Sequence, residues 1–352
     1  MVTSPEKPAP LPSDRKVRIA LVGIGGAAQL IHLPILTEME SVELVGLSDV
    51  EDFKLSKVSD RYGVPGFMDC ENMIRKVNPD VVMVCAPTIN HMPLALTALQ
   101  TGAHVIVEKP VARNLSEAIR LQEAAQRHNK HVLIAMNQRF RQDVSILKNF
   151  LKAGDLGVIW RIRSGWLKRF GNWHRSPWLD QKKISGGGVL MDLGIQLLDM
   201  AMYLMDYPKP VRTVAYMHHQ NIEREVEDTL TAAVTFDNNA ILHIDCSWGV
   251  MSEHDTAYTI FEGSKASASL NPLVLHQILQ DELVSVTPVK TADPRDLYQA
   301  SFESQLHHFI AALRGKVDPI STIDEATQVM KAVDSIYRSA ETEREVLGDE
   351  QA

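Results

Sequence analysis

Short apolar runs alternate with helix-like patterns over residues 17–136 of the chain. The runs have the length of buried strands, and the segments between them repeat apolar residues every three or four positions, as helices do. Strands are predicted at 17–23, 42–48, 80–86, 103–107 and 131–136, with a short one at 64–68. Helices are predicted at 27–38, 51–61, 69–77, 91–101 and 114–129, the last capped by Asn114 or Ser116. This alternation predicts a parallel, doubly wound α/β sheet.

The pattern changes near residue 137. A helix is predicted at 141–153, where Gly154 ends it, and alternating apolar and polar residues then indicate antiparallel strands with one buried face. Further strands are predicted at 158–167, 211–219, 232–236 and 241–248, and further helices at 189–205, 298–314 and 324–340. We therefore expect a disordered, proline-rich tail at 1–16, one domain at 17–137, a second at 138–345, and a reaction site in a cleft between them.

The first strand ends on a glycine-rich turn that predicts a dinucleotide site. Gly23 permits the tight turn, Gly25 lets the backbone approach a pyrophosphate, and Ala28 allows close packing of the helix, with Gly26 and Ala27 between them. Asp49 ends the second strand, where its carboxylate can accept hydrogen bonds from a ribose. The same carboxylate, with Glu51 and Asp52 beside it, would repel a 2′-phosphate, so NAD is predicted over NADP.

Two later strands end on further polar candidates. Pro87, Asn90 and His91 follow the strand at 80–86, on the edge where parallel sheets bind ligands. Asn90 fits a cofactor contact and a helix N-cap equally well. Glu108 and Lys109 follow the strand at 103–107. A lysine there can exchange a proton with a substrate oxygen, although most lysines are merely solvated.

A third constellation lies in the second domain. Three glycines at 186–188 precede a helix that is apolar except for Asp192, Gln196 and Asp199, which share one face. Such a stripe either meets water or lines a cavity. Just before it, Trp160, Trp166, Trp173 and Trp178 stand close to His174 and Arg175. These tryptophans fit a stacking wall for a sugar ring or ordinary core packing.

Composition excludes several classes of function. The net charge of −8 argues against a nucleic-acid partner, which would need clustered Lys and Arg. The three cysteines, Cys70, Cys85 and Cys246, lie far apart and form neither a disulfide framework nor a metal motif, so a reducing cytoplasm is expected and no metal site is predicted. No uninterrupted apolar run reaches the roughly 18 residues of a membrane helix, and the tail lacks the apolar core of a signal peptide.

Together these motifs resemble the Gfo/Idh/MocA family of glucose-fructose oxidoreductase, inositol dehydrogenase and rhizopine-catabolism proteins. The resemblance rests on the glycine turn, Asp49, PTINH at 87–91, TGAHVIVEKP at 101–110, NQRF at 137–140, GDLG at 154–157 and GGGVLMDLGIQLLD at 186–199. It covers nearly the whole chain after the tail.

The resemblance implies a Rossmann domain followed by an α+β domain with a large, mostly antiparallel sheet, whose open face makes a homodimer or homotetramer. It implies hydride transfer between NAD and a carbinol carbon of a sugar, cyclitol or polyol. Lys109 would then move the proton of the reacting oxygen, Asp192 would assist it, and Gln138 would contact the cofactor. Gln196, Trp173, His174 and Arg175 are the predicted substrate contacts.

The chain departs from the family at Gln196, where the usual general base is a histidine. A carboxamide does not titrate near neutral pH, so Gln196 can only orient the substrate by hydrogen bonding. Two alternatives therefore remain at this point. One is a glycosidase-like enzyme that oxidises its sugar transiently with bound NAD, and the other is a non-catalytic, nucleotide-binding regulator.

Overall fold

The computed structural model of the chain describes residues 8–171, 176–220, 224–288 and 293–348. It divides into two compact units. The first unit comprises Met1–Met136 with Phe302–Thr327, and the second comprises Asn137–Ser301 with Gln328–Ala352. The predicted second domain is thus interrupted, because one late segment belongs to the first unit. Within that unit, Ser321 exchanges hydrogen bonds with the backbone of Ile134, and Asp324 accepts one from Gln122.

The first unit is built on a parallel sheet of six strands in the order β3-β2-β1-β4-β5-β6. The strands are β1 Val17–Val22, β2 Val42–Ser48, β3 Gly66–Phe67, β4 Val81–Val84, β5 His104–Val107 and β6 Val132–Ile134. The helices are α1 Leu33–Glu38, α2 Asp52–Tyr62, α3 Cys70–Val77, α4 His91–Gln100 and α5 Leu115–Arg127. The predicted doubly wound sheet is confirmed. Its strand order reverses between β1 and β4, which is where such sheets bind ligands.

The ends of the helices follow local side-chain chemistry. Asn114 is the cap of α5, since its side chain accepts a hydrogen bond from the backbone N–H of Glu117. Asp69 caps α3 in the same way. Asn90 occupies the N-cap position of α4, as one of its two interpretations predicts, but its side chain makes no capping hydrogen bond there.

The described part of the N-terminal tail is ordered, contrary to the sequence-based expectation. Leu11 donates its backbone N–H to the Leu313 carbonyl, and the Arg15 guanidinium binds both carboxylate oxygens of Asp80 at 2.5 and 2.7 Å. Residues 8–16 form no helix or strand. A proline-rich composition therefore predicted the lack of regular structure correctly but missed these tertiary contacts.

The second unit is built on a sheet of nine strands in the order β14-β13-β12-β11-β7-β10-β9-β8-β15. The strands are β7 Ile159–Arg169, β8 Pro210–His218, β9 Thr229–Phe236, β10 Ile241–Val250, β11 Thr256–Gly263, β12 Ala266–Leu270, β13 Val274–Leu279, β14 Glu282–Ser285 and β15 Val346–Leu347. Only β7 and β10 pair in parallel among these described strands, so the sheet is mostly antiparallel, as expected.

The remaining helices are α6 Gln142–Ala153, α7 Lys182–Ser185, α8 Ile195–Leu204, α9 Pro294–Leu313 and α10 Ile323–Thr342. Among the described residues, Lys182–Leu204 is the one segment long and apolar enough to cross a membrane by length and composition. Within the protein, 89% of its most apolar stretch is buried, as in the core helix of a folded domain.

Candidate active site

The glycine turn of the first unit has the shape that a dinucleotide needs. Gly23 has a φ of +87°, and a Cβ there would lie 2.6 Å from the backbone nitrogen of Ala86, so no other residue fits. A Cβ at Gly25 or Gly26 would meet nothing within 4 Å, which leaves open space beside the helix N-terminus. Ala28 is fully buried below it. This open cradle fits a pyrophosphate, which the N–H groups of a first helical turn bind well.

Asp49 lies beside this turn with its carboxylate nearly buried. Its Oδ2 accepts the backbone N–H of Ile24 at 2.7 Å, and its Oδ1 accepts the N–H of Glu51 at 3.0 Å. The ammonium of Lys54 lies 3.0 Å from the same Oδ1. The carboxylate is therefore fixed against the glycine turn, in the place predicted for a ribose contact.

His91 ties two turns of the first unit together. Its side chain is buried, with Nδ1 2.7 Å from the Pro110 carbonyl oxygen and Nε2 2.7 Å from the Ala86 carbonyl oxygen. Burial lowers the pKa of the imidazole, against the effect of these two carbonyls. Both ring nitrogens face backbone carbonyl oxygens of this unit, so neither is open to a ligand, and a cofactor contact of His91 stays a prediction. Pro87 is half-buried and Asn90 is exposed on the same turn.

Glu108 fixes the backbone that carries Lys109. One carboxylate oxygen lies 2.6 Å from Nε2 of the buried His32, and the other accepts the backbone N–H of Lys109 at 3.1 Å. Burial raises the pKa of Glu108, but the His32 hydrogen bond and the nearby charges of His32 and Lys109 outweigh it, so the pKa lies below its usual range. Both oxygens of Glu108, predicted as a cofactor contact, are engaged within this unit.

The glycines of the second unit allow an unusually close approach to a buried carboxylate. A Cβ at Gly187 would lie 1.9 Å from the Tyr337 hydroxyl, and one at Gly188 would lie 1.9 Å from the Glu227 carbonyl oxygen. The Glu227 side chain accepts hydrogen bonds from Gly188 N–H, Leu190 N–H and the Tyr337 hydroxyl. Burial raises the pKa of Glu227 despite these donors. Glu227 therefore anchors the turn that leads to Asp192.

The polar stripe of the following helix does not form a solvated face. Asp192 accepts a hydrogen bond from the indole N–H of Trp248 at 3.1 Å. Gln196 is only 6% exposed, and its amide nitrogen donates to the Asp192 carbonyl at 2.9 Å. Asp199 forms a fully buried ion pair with Arg139. The stripe thus consists of a buried ion pair at Asp199 and two hydrogen-bonded groups at Asp192 and Gln196.

Gln196 lines a cavity of about 470 Å³ in the second unit. Most of its wall is apolar, from Leu197, Met200, Ala257 and the rings of Trp166 and Tyr298. Carboxamides and hydroxyls also line it, from Gln138, Gln196, Asn271, Gln299, Thr259 and Tyr298. Three cations, Arg141, Lys168 and Arg295, also face it. Arg141 is held by Asp143, by Asn271 and by the Gln138 amide oxygen at 3.0 Å. The structure therefore places Gln138, predicted as a cofactor contact, in the same cavity as Gln196.

Three predicted substrate contacts, Trp173, His174 and Arg175, lie outside the described residues. Of the other clustered tryptophans, Trp166 faces the cavity, Trp160 is 49% exposed and Trp178 is half-buried. Sequence reasoning missed Glu227 and His32. Glu227 had no motif of its own, and His32 stands inside a helical pattern, so neither gave a local signal.

Comparison with known proteins agrees with this arrangement. Residues 17–136 match the family model described as "Oxidoreductase family, NAD-binding Rossmann fold", and residues 148–347 match "Oxidoreductase family, C-terminal alpha/beta domain". D-glucoside 3-dehydrogenase of Escherichia coli (strain K12) is 29% identical over 345 residues, which cover 93% of this chain and 96% of that protein.

Two further relatives cover the chain almost completely. Myo-inositol 2-dehydrogenase of Thermotoga maritima is 25% identical over 353 residues, 95% of this chain and 99% of that protein. An oxidoreductase from Agrobacterium radiobacter, solved with NAD+, L-tartaric acid and magnesium, shares the fold with a TM-score of 0.84 at 18% identity, over 96% and 100% of the two chains. The two family models together span most of the sequence, and the chain belongs to the Gfo/Idh/MocA family of oxidoreductases, with an NAD-binding Rossmann domain.

Proposed function

We propose that the protein transfers a hydride between NAD and a carbinol or carbonyl carbon of a sugar, cyclitol or related polyol. The observation that carries this proposal is the cavity beside Gln196, whose largely apolar walls carry six carboxamide or hydroxyl side chains and three cations. Carboxamides donate and accept hydrogen bonds at once, which suits the hydroxyl groups of a sugar, and Trp166 offers an apolar surface to a ring. The relatives named for a glucoside and for myo-inositol support the same substrate class.

We propose distinct roles for the residues of the site. The glycine turn holds the pyrophosphate and Asp49 the ribose of the cofactor, whose nicotinamide accepts or supplies the hydride. Lys109 removes the hydroxyl proton during oxidation and returns it during reduction, as a positioned general acid-base group. Glu108 holds the Lys109 backbone in place. Asp192, whose carboxylate accepts the indole N–H of Trp248, stays a proposed catalytic residue on sequence grounds.

Gln196 takes a positioning role in this proposal. Its amide nitrogen is engaged with the Asp192 carbonyl, so its carbonyl oxygen is the atom that accepts a substrate hydroxyl. Gln138 reaches the same cavity from the segment after β6. Trp173, His174 and Arg175 stay proposed substrate contacts on sequence grounds. Because Gln196 does not titrate, proton transfer falls to Lys109.

A panel of substrates tests the proposed chemistry. Methyl β-glucoside, myo-inositol, free hexoses and keto-sugars are each mixed with NAD or NADH, and the absorbance of reduced nicotinamide is followed. At least one should change the redox state of the nicotinamide. A product formed without net cofactor change would instead indicate transient oxidation followed by elimination, and bound cofactor with no reaction across the panel would indicate a regulator.

We also propose that the chain assembles as a homodimer or homotetramer through the open face of the nine-stranded sheet. One face is buried by the core, whereas the other presents Tyr216, which is 69% exposed, beside small residues such as Ala233 and Thr231. Such an exposed face suits a self-complementary interface. Light scattering should show an oligomer that Tyr216→Glu weakens.

A reducing compartment, the cytoplasm, is the proposed location. The three cysteines are free, and burial raises the pKa of the thiols of Cys85 and Cys246 well above the usual range. The pKa of Cys70 is raised to about 11, first by burial and then by Asp69 and Glu71. Thiols in this state are weak nucleophiles and form disulfides slowly.

A further inference from the structure

Lys54 lies beside Asp49, whose carboxylate is predicted to select the cofactor. Its ammonium is 3.0 Å from Asp49 Oδ1 and 3.5 Å from Glu51 Oε1. The Lys54 side chain is 26% exposed and that of Asp49 only 7%, whereas Glu51 is largely solvated. Lys54 lies in the first turn of α2, and its side chain reaches back to Asp49 and Glu51 before that helix.

This contact changes the charge that a cofactor meets. Asp49 and Glu51 alone would present two negative charges to a 2′-phosphate, but the ammonium reduces the net charge of the three groups to minus one. Asp49 keeps its place without Lys54, because the N–H groups of Ile24 and Glu51 also bind it. Lys54 is therefore not required to position the carboxylate, and its long, partly exposed side chain is able to turn to another anion.

We propose that Lys54 sets the discrimination between NAD and NADP. With NAD, Asp49 accepts the ribose hydroxyls and Lys54 remains beside Asp49. With NADP, the Lys54 ammonium pairs with the 2′-phosphate and offsets its repulsion from Asp49. The chain therefore still binds NAD more tightly than NADP. The ratio of the two dissociation constants is smaller than the acidic residues alone would give. This inference rests on the cofactor site and not on the sugar.

Binding measurements without sugar test this assignment. Dissociation constants of NADH and NADPH are measured by calorimetry for the wild type, Lys54→Met and Lys54→Arg. Lys57→Met is the matched control, because Lys57 lies on the same helix but covers the Phe53 ring at 4.1 Å. Lys54→Met should weaken NADPH about fivefold and NADH by less than about twofold, as expected for losing a partly exposed ion pair. Lys54→Arg and Lys57→Met should keep both constants near those of the wild type.

The contrary results are distinct. Equal weakening of both cofactors by Lys54→Met would show that the lysine only supports Asp49, and unchanged NADPH binding would show that it never meets the phosphate. Loss of NADPH binding in Lys54→Arg would also overturn the proposal. Added salt should weaken NADPH more in the wild type than in Lys54→Met, because the pair is screened. Any of these failures leaves the proposed hydride transfer untouched.

Discussion

The buried pair of His32 and Glu108 should control both the stability of the first unit and the rate of the reaction. We consider His32→Phe, which removes the hydrogen-bond donor and keeps a ring of similar size. The imidazole is fully buried, and its other nitrogen, Nδ1, has no hydrogen-bond partner among the described residues. Its contact with Glu108 is therefore the polar interaction that the substitution removes.

The expected magnitude follows from burial and charge. A hydrogen bond to a charged group contributes about 1.5–3 kcal/mol, and a buried carboxylate that loses its partner is costly to leave unsatisfied. For a unit of this size, we expect His32→Phe to lower the melting temperature by about 3–12 °C. Displacement of the Lys109 backbone, which Glu108 holds at 3.1 Å, should lower kcat about 10- to 100-fold.

The assay combines thermal unfolding with steady-state kinetics on the substrate that the panel identifies. His32→Gln keeps a donor and should recover most of the lost kcat. His104→Phe is the control, because His104 is equally buried but accepts the N–H of His131, away from Lys109. The His104→Phe variant should lose about 1 kcal/mol in its free energy of unfolding and keep the kcat of the wild type. If folded His32→Phe turned over at the wild-type rate, the pair would be purely structural.

Acid should reduce the difference in the free energy of unfolding between His32→Phe and the wild type. The pKa of Glu108 is lowered below its usual 4.5, so its stabilisation is complete above that pH and is lost as the pH falls through the folded-state pKa. In His32→Phe, the hydrogen bond and charge of His32 no longer oppose the effect of burial, so the pKa of Glu108 rises. The stability deficit should therefore be largest near neutral pH and shrink below about pH 4.5.

Two further predictions concern the cofactor and the substrate helix. Asp49→Ser should weaken NADH about 10-fold or more and strengthen NADPH, because the acceptor of ribose hydroxyls and the repelling charge both disappear; unchanged constants in a titration would contradict the assignment. Gln196→Ala should raise KM and lower kcat without changing the pH profile, whereas Gln196→His should keep cofactor affinity and add a titration near pH 6–7. Unchanged kinetic constants for Gln196→Ala would remove this residue from the site.

The fold could be predicted from the sequence because local signals and tertiary structure agree. β1, β4 and β5 are short buried runs with a glycine or proline within three residues of at least one end, and Asn114 caps its helix as its residue type favours. The interruption of the second domain by Phe302–Thr327 was not predictable, since a helix pattern shows which face is apolar and not which unit covers it.

The candidate site was predictable only in part, for the same reason. Glycines and end-of-strand acids have fixed spacing, so the turn at Gly23 and the place of Asp49 could be predicted. His91 lies in the predicted turn, but its contact with the Pro110 carbonyl depends on a residue 19 positions away. Likewise, whether Asp199 meets solvent or an arginine is decided by Arg139, sixty positions away.

Replacement of Lys109 tests the central claim most directly. On the best substrate of the panel, Lys109→Met should lower the single-turnover rate of nicotinamide reduction by about 10²- to 10⁴-fold, the range of a general acid-base group, while the dissociation constant of NAD changes little. The wild type should reduce NAD with that substrate at a pH-dependent rate whose profile is altered in the variant. A folded Lys109→Met protein that binds NAD and turns over at the wild-type rate would contradict the account.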